Sequence, residues 1–207
     1  NDRPSRKRFL REARAAAAIT NDHVVPIYSV GKCGQILYLE MQFVEGSSLQ
    51  EKLDQQGPLN YDEIVRIGMQ TAKGLAAAHT RGLIHRDVKP ANILLERETQ
   101  QVRISDFGLA CVVADVHQSN SNLLVGTPEY SELLVGTPEY MAPEQIYTAD
   151  VDHRADLFSF GNVLYAMCTG QSPFAGGTTL DVIKRVAKED PPPLPKINPE
   201  IPQVMVD

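Results

Sequence analysis

The sequence has only three cysteines in 207 residues, and it has no apolar run long enough to span a bilayer. Cys33, Cys111 and Cys168 are far apart and form no Cys-x-x-Cys pair, which disfavours a disulfide framework and a zinc site. The charged N-terminus also lacks the apolar core of a signal peptide. These absences predict a cytoplasmic setting and no membrane contact by this segment, although a longer parent chain could carry an anchor elsewhere.

Positive charge is also scarce, since the formal net charge is -6 and the only basic cluster lies between Arg3 and Arg14. Phe9, Leu10 and a row of alanines interrupt this cluster, which is typical of the solvent-exposed face of a helix. A nucleic-acid surface needs clustered Lys and Arg, so the sequence predicts no nucleic-acid partner. The 43% hydrophobic content is enough for a folded core.

Glycine is absent before Gly31, and the patterning up to that point is regular. An alanine-rich apolar stripe predicts the first helix, and β-branched and aromatic residues predict the strands that follow. The predicted elements are a helix at 6–19 and a hairpin of strands at 24–30 and 35–44, with its turn at 31–34 and a break at 46–48.

Further along the chain, Asn60 with Glu63 three residues later marks a helix start, and Leu59 and Ile64 are placed as a hydrophobic staple. This helix is predicted to end near Gly82. The remaining predicted elements are strands at 93–95 and 102–104, helices at 156–169 and 178–188, and an extended proline-rich tail at 190–202.

One short repeat occurs, because residues 123–130 recur letter for letter at 133–140. A period of ten residues is too short for a solenoid, whose units have about 20 residues or more. A local duplication or a sequencing error explains it better.

Three motifs follow one another in a fixed order. His85 to Asn92 matches the pattern HRDxxxxN, Asp106 opens an Asp-Phe-Gly triplet after one strand pair, and residues 142–144 read Ala-Pro-Glu. Each motif alone is weak, but their order makes chance a poor explanation. The sequence resembles the eukaryotic-like protein kinases, in particular the bacterial serine/threonine kinases, over essentially its whole length.

The resemblance implies an α+β, protein-kinase-like fold. Residues 1–44 would form a truncated small lobe, made of a helix and antiparallel strands without the Gly-rich loop and strand lysine. Residues 45–207 would form a mostly helical large lobe that lacks its last helices. This part contains the catalytic loop at 85–92 and an activation segment at 106–144.

The resemblance also implies catalytic roles. Asp87 would accept the proton of the substrate hydroxyl, and Lys89 would neutralise the transferred phosphoryl group, favouring Ser/Thr residues of protein substrates. Asn92 and Asp106 provide the hard oxygen ligands that magnesium prefers, and they would hold Mg²⁺. The implied cofactors are therefore ATP and Mg²⁺.

Nucleotide-binding roles fall on five other residues. Glu12 matches the glutamate that pairs with the ATP-positioning lysine, and Met41 matches the gatekeeper before the hinge. Gln42 and Val44 would offer backbone groups to the adenine edge, and Leu94 would pack below the ring. Each of them is equally compatible with an ordinary helix face or buried strand.

The remaining implied roles concern support and regulation. Arg86 would bind a phosphorylated activation loop, whose candidate acceptors are Ser119, Ser121, Thr127 and Ser131. Thr137 would contact the catalytic loop and help receive the substrate. His85 would stack near Phe107 without transferring protons, and Asp156 would be a buried anchor accepting backbone hydrogens.

The departures from the family leave three interpretations open. Without the Gly-rich loop and strand lysine, the chain is expected to be a kinase fragment with impaired ATP binding. A kinase-like binding module that has lost phosphotransfer is the alternative, although retention of Asp87, Lys89, Asn92 and Asp106 argues against it. The exact repeat also allows a sequence artefact without an independent fold.

Overall fold

The structure, a computed structural model, describes residues 3–34, 36–107, 137–147, 151–199 and 201–203. In chain order, its elements are α1 (Arg3–Ala17), β1 (Ile27–Cys33), β2 (Ile36–Met41), β3 (Gly46–Ser48), α2 (Leu49–Gln56), α3 (Tyr61–His79), β4 (Ile93–Glu96), β5 (Val102–Ile104), α4 (Pro143–Tyr147), α5 (Arg154–Thr169), α6 (Thr179–Lys188) and α7 (Leu194–Ile197). Single 3-10 turns occur at Pro90–Asn92 and Pro138–Tyr140. The predicted α+β class is confirmed.

The first antiparallel pair, β1 with β2, confirms the predicted hairpin but corrects its turn. The strand runs on through Gly31 to Cys33, and the chain turns at Gly34, which has a φ of 60°. Gly31 pairs with Tyr38, and a Cβ at Gly31 would collide with the Tyr38 ring. Gly31 is therefore a strand glycine that makes room for a cross-strand neighbour.

A second sheet has the strand order β3-β4-β5, with both pairs antiparallel. The predicted strands at 93–95 and 102–104 are confirmed, whereas the predicted break at 46–48 is wrong because these residues form β3. Gly46 lies so close to the Leu95 carbonyl that a Cβ could not fit between them. Close backbone approach explains why glycine occurs in this strand.

Local capping starts the two helices that follow. Ser48 forms a capping box with Glu51 at the start of α2, a helix that the sequence patterns did not predict. At α3, Asn60 Oδ1 accepts from the Glu63 amide at 3.0 Å, as predicted. The helix ends at His79, slightly before the left-handed Gly82.

The main core surrounds α3 and includes residues from both helices and strands. Its largest fully buried members are Leu49, Ile67, Leu75, Val88, Ile93, Val102, Ile104, Val163 and Met167. Ala16, Ile19 and Val24 belong to the same core, and the His23 carbonyl accepts from the Ile104 amide at 2.9 Å. The division into lobes at 1–44 and 45–207 stays a prediction.

The predicted helices near the C-terminus are confirmed as α5 and α6, but the predicted extended tail is interrupted by α7. Leu194 packs against the main core, and the side-chain amide of Asn198 donates to the Cys168 carbonyl at 2.8 Å. These tertiary contacts stabilise one helical turn within a proline-rich stretch. In the described residues, no helix is both long and apolar enough to cross a membrane.

Candidate active site

Asp156, in the first turn of α5, fixes the start of the loop at 85–92 through hydrogen bonds to its backbone. Its side chain is fully buried and accepts from the backbone amides of His85 and Arg86, each at 2.8 Å. His79 Nε2 lies 2.7 Å from the same carboxylate. The predicted buried anchor is confirmed, and these partners compensate a carboxylate that burial would otherwise disfavour.

His85 is fully buried, and its ring accepts one hydrogen bond and donates another. Its Nδ1 accepts from the Asp87 amide at 3.2 Å, so Nε2 carries the proton and donates to the Ser105 carbonyl at 2.8 Å. Its ring lies 4.5 Å from the Phe107 ring, centroid to centroid, so the predicted neighbour is confirmed, but the ring planes are tilted by 48° and not stacked. Burial lowers the pKa of His85, so a neutral, structural imidazole fits the site.

This lowered pKa predicts loss of stability in mild acid. The unfolded chain binds a proton at His85 as pH falls below about 6.5, whereas the folded protein does not. The free energy of unfolding should therefore fall between pH 7 and pH 5, by up to about 1.4 kcal/mol per pH unit for this one proton. Urea unfolding at the two pH values measures the loss.

The matched variants are His85→Gln, whose side chain never titrates, and His153→Gln at an exposed histidine. We expect the acid-induced loss to shrink in His85→Gln and to persist in His153→Gln. Equal losses in wild-type protein and His85→Gln would contradict a role for this buried imidazole.

Asp87, Lys89 and Asn92 meet within the loop that Asp156 and His85 hold. Lys89 Nζ lies 2.8 Å from Asp87 Oδ2, and Asn92 Nδ2 donates to the same oxygen at 3.0 Å. Asn92 Nδ2 also donates to the Asp87 carbonyl at 2.8 Å, which closes the loop on itself. An oriented carboxylate beside a cation can accept a proton from a hydroxyl while the cation stabilises negative charge.

Asn92 and Asp106, the two residues predicted to hold Mg²⁺, both form hydrogen bonds with Ser105 at the edge of this loop. Because the Asn92 amide nitrogen is directed to Asp87, its Oδ1 is the atom available to a metal. Ser105 donates its backbone N–H to the Asn92 carbonyl at 2.9 Å and its hydroxyl to Asp106 Oδ2 at 3.2 Å. Asp106 is exposed and has a left-handed φ of 61°.

This donor set suits Mg²⁺, which binds one or two protein oxygens and completes its shell with water and phosphate. In the described part of the chain, no three or more His, Cys, Asp or Glu side chains gather into a metal-binding cluster.

A cavity of about 380 Å³ lies beside this loop. Its lining includes Val44, Leu94 and Ala91, together with the Ser48 and Glu51 pair that caps α2. Two of the predicted adenine-binding residues are thus brought to one cavity. The size and the mixed apolar and polar lining fit a small ligand such as a nucleotide.

The other two predicted hinge residues lie next to this cavity along the chain but are not part of its lining. Met41 ends β2 and pairs with Ile27. The Gln42 amide donates to the Pro26 carbonyl at 2.9 Å, so its own carbonyl is the backbone group left for a ligand. The predicted roles of Met41 and Gln42 stay predictions.

Arg86 connects the loop to two further segments. Its Nη1 lies 4.0 Å from Glu12 Oε1 on α1, with both side chains mostly buried. Its carbonyl accepts from Gln145 Nε2 on α4 at 2.8 Å. The sequence patterns did not single out Gln145, although it directly follows the Ala-Pro-Glu triplet.

Thr137 precedes the 3-10 turn at Pro138–Tyr140 and accepts from the Tyr140 amide at 3.1 Å through its carbonyl. Its predicted contact with the loop at 85–92 stays a prediction. Gln145, by contrast, makes a direct hydrogen bond to that loop. The candidate phosphorylation sites Ser119, Ser121, Thr127 and Ser131 lie outside the described residues.

Comparison with known proteins agrees with this geometry. The family model of the protein kinase domain matches residues 1–205. The chain belongs to the protein kinase family. Both the predicted resemblance and the predicted protein-kinase-like fold are thereby confirmed.

Two bacterial kinases illustrate the similarity of this chain to known proteins. The chain is 37% identical over 201 residues to a probable serine/threonine-protein kinase of Clostridium perfringens, covering 97% of this chain and 28% of that protein. It is 36% identical over 185 residues to the serine/threonine-protein kinase PknL of Mycobacterium tuberculosis, covering 89% of this chain and 44% of PknL. The chain thus spans less than half of each of these two relatives.

A solved structure gives the same result for the kinase fold. The crystal structure of the Mycobacterium tuberculosis PknI kinase domain, determined on a point mutant, matches with a TM-score of 0.70 and 27% identity. The match covers 96% of this chain and 66% of that one. Protein kinases in general use ATP and Mg²⁺, which agrees with the oxygen ligands and cavity described above.

Proposed function

We propose that this chain carries the phosphotransfer site of a serine/threonine protein kinase, which moves the γ-phosphoryl group of ATP to Ser and Thr hydroxyls of protein substrates. The observation that carries the proposal is the meeting of Lys89 Nζ and Asn92 Nδ2 on one oxygen of Asp87, at 2.8 and 3.0 Å. A kinase-like binding module would not require this arrangement of acid, cation and amide.

Phosphoryl transfer needs positioning and charge stabilisation more than covalent work by the protein. Asp87 accepts the proton of the attacking hydroxyl, which raises the nucleophilicity of that oxygen. Lys89 stabilises the charge that spreads over the transferred group. Asn92 keeps the Asp87 carboxylate oriented through its two hydrogen bonds.

Within this proposal, Asn92 Oδ1 and the Asp106 carboxylate bind Mg²⁺, which supplies charge neutralisation at the phosphates when bound. Val44 and Leu94 contact the adenine ring, and the Gln42 carbonyl accepts a hydrogen bond from it. The shared cavity lined by Val44 and Leu94 supports this placement.

The substrates and the cellular setting are proposed from the composition and from the relatives. The low number of cysteines and the lack of a Cys-x-x-Cys pair in the sequence support a cytoplasmic site of action, where the substrates are proteins with accessible Ser or Thr residues. The net charge of -6 supports the absence of a nucleic-acid partner.

The test is transfer of label from γ-labelled ATP to a peptide by the complete gene product. We expect transfer to a Ser/Thr peptide, loss of transfer when a chelator removes Mg²⁺, and little transfer to the matched Tyr peptide. Asp106→Asn should reduce transfer by about 10²-fold or more, because a charged metal ligand becomes a neutral one.

Asp22→Asn, an acid on the segment that precedes β1, is the matched control and should keep wild-type transfer. Absence of transfer by the wild-type gene product under all metal conditions would favour the binding module. Transfer that needs no divalent cation would refute the proposed metal site.

A further inference from the structure

Gln145 uses both ends of its side-chain amide, and each end binds a different segment. Oε1 accepts from the Ala142 backbone amide at 3.0 Å, a local bond across the start of α4. Nε2 donates to the Arg86 carbonyl at 2.8 Å, a bond between residues 59 positions apart in sequence. One half-buried side chain therefore ties the segment after the activation region to the catalytic loop.

The Arg86 carbonyl belongs to the peptide bond that leads into Asp87. The N–H of that same peptide, on Asp87, donates to His85 Nδ1 at 3.2 Å. The preceding peptide, between His85 and Arg86, is fixed by Asp156, because the Arg86 N–H donates to Asp156 Oδ1 at 2.8 Å. Arg86 itself has a φ of 64°, a left-handed conformation that few residues other than glycine adopt.

Of the two polar groups of the Arg86–Asp87 peptide, one is bound within the loop and the other is bound by Gln145 alone among the described residues. A strained backbone of this kind persists only when surrounding contacts fix it. Loss of the Gln145 donor would leave the peptide free to rotate, and the Asp87 side chain would move with it. Displacement of a catalytic group by about 1 Å can cost 10²-fold in rate.

We propose that Gln145 is a positioning residue for Asp87, which couples the location of α4 to the orientation of the catalytic base. The proposal rests on the phosphotransfer function proposed above. Its competitor is a purely local role, in which Gln145 only caps α4 through the Ala142 amide.

Two substitutions separate these roles because they remove different bonds. Gln145→Glu keeps an acceptor for the Ala142 amide but replaces the donor by an oxygen that faces the Arg86 carbonyl. Gln145→Met has a similar length and removes both bonds. Gln171, an exposed residue after α5, provides the matched controls Gln171→Glu and Gln171→Met.

In the complete gene product, both Gln145 variants should lower kcat by about tenfold or more while the KM for ATP stays near its wild-type value. Hydrogen exchange at the Asp87 amide should be faster in both, because its peptide is less constrained. The Gln171 variants should match wild type in both measurements. A local capping role predicts instead that Gln145→Glu behaves as wild type and that only Gln145→Met is affected.

Failure of this inference is distinct from failure of the proposed function. If the wild type transfers phosphate and Gln145→Glu keeps its kcat and its Asp87 exchange rate, the positioning role is refuted. If the wild type transfers no phosphate, the proposed function fails. The hydrogen-exchange rate of the Asp87 amide then tests on its own whether Gln145 constrains the Arg86–Asp87 peptide. Faster exchange in Gln145→Glu then supports the coupling, and unchanged exchange refutes it.

Discussion

Asp87→Ala is expected to lower kcat for phosphoryl transfer by about 10²–10⁴-fold, the usual contribution of a general base. The affinity for ATP should change little, because the cavity proposed for the nucleotide is lined by other residues. Steady-state kinetics with a Ser/Thr peptide, together with nucleotide binding in the absence of peptide, measures both effects.

The rate loss in Asp87→Ala is not independent of the rate loss in Lys89→Ala, because the two side chains are in contact. Lys89 Nζ is 2.8 Å from Asp87 Oδ2, so removing the acid also removes the partner that holds this cation, for which we propose the role of stabilising the transferred group. The double variant Asp87→Ala with Lys89→Ala should therefore lose much less than the sum of the two single losses in activation free energy.

Asp87→Asn and Asp190→Asn are the controls. Asparagine at 87 keeps the size of the side chain but cannot accept the proton, so it should be nearly as inactive as alanine. Asp190 is exposed beyond α6, and its replacement should leave kcat unchanged. Retention of most of the wild-type rate by Asp87→Asn would rule out Asp87 as the base.

Asp156→Ala is expected to destabilise the protein by about 3–5 kcal/mol. The substitution leaves two buried backbone N–H groups, those of His85 and Arg86, without their acceptor. It also removes the partner of His79 Nε2, which lies 2.7 Å from the carboxylate. Urea unfolding monitored by circular dichroism gives the change in the free energy of unfolding.

Asp156→Asn should cause a smaller loss than alanine, since the amide keeps one acceptor oxygen but turns a donor toward a backbone N–H. Hydrogen exchange at the His85 and Arg86 amides should accelerate in both variants. Asp152, an exposed acid paired with Arg154 just before α5, is the control. Asp152→Ala should cost much less than Asp156→Ala, because solvent screens the ion pair and only one exposed bond, from the Arg154 backbone amide at 2.8 Å, is lost with it. Equal losses at both positions would contradict the anchoring role.

Local features of the fold were predictable because their causes lie within a few residues of one another. The Asn60 cap of α3 spans three residues, and its acceptor and donor are both visible in the sequence. The same holds for the catalytic loop, where Asp87, Lys89 and Asn92 meet within six positions. Errors occurred where a glycine has two uses, as at Gly31 and Gly46, which lie in strands and make no turn. The start of α2 was also missed, although its capping box of Ser48 and Glu51 is equally local.

The sequence by itself determined the family, the four longest helices and most strands, and the identity of the residues in the loop at 85–92. The family resemblance also predicted Asp156 as a buried anchor, whereas the tertiary structure decided which backbone groups Asp156 binds and added Gln145 as a second contact to that loop. Asp156 reaches its His85 amide across 71 positions and Gln145 reaches its Arg86 carbonyl across 59. Hydrogen bonds between distant segments leave no periodic or spacing signal in one chain, because they depend on how the elements pack and not on their order.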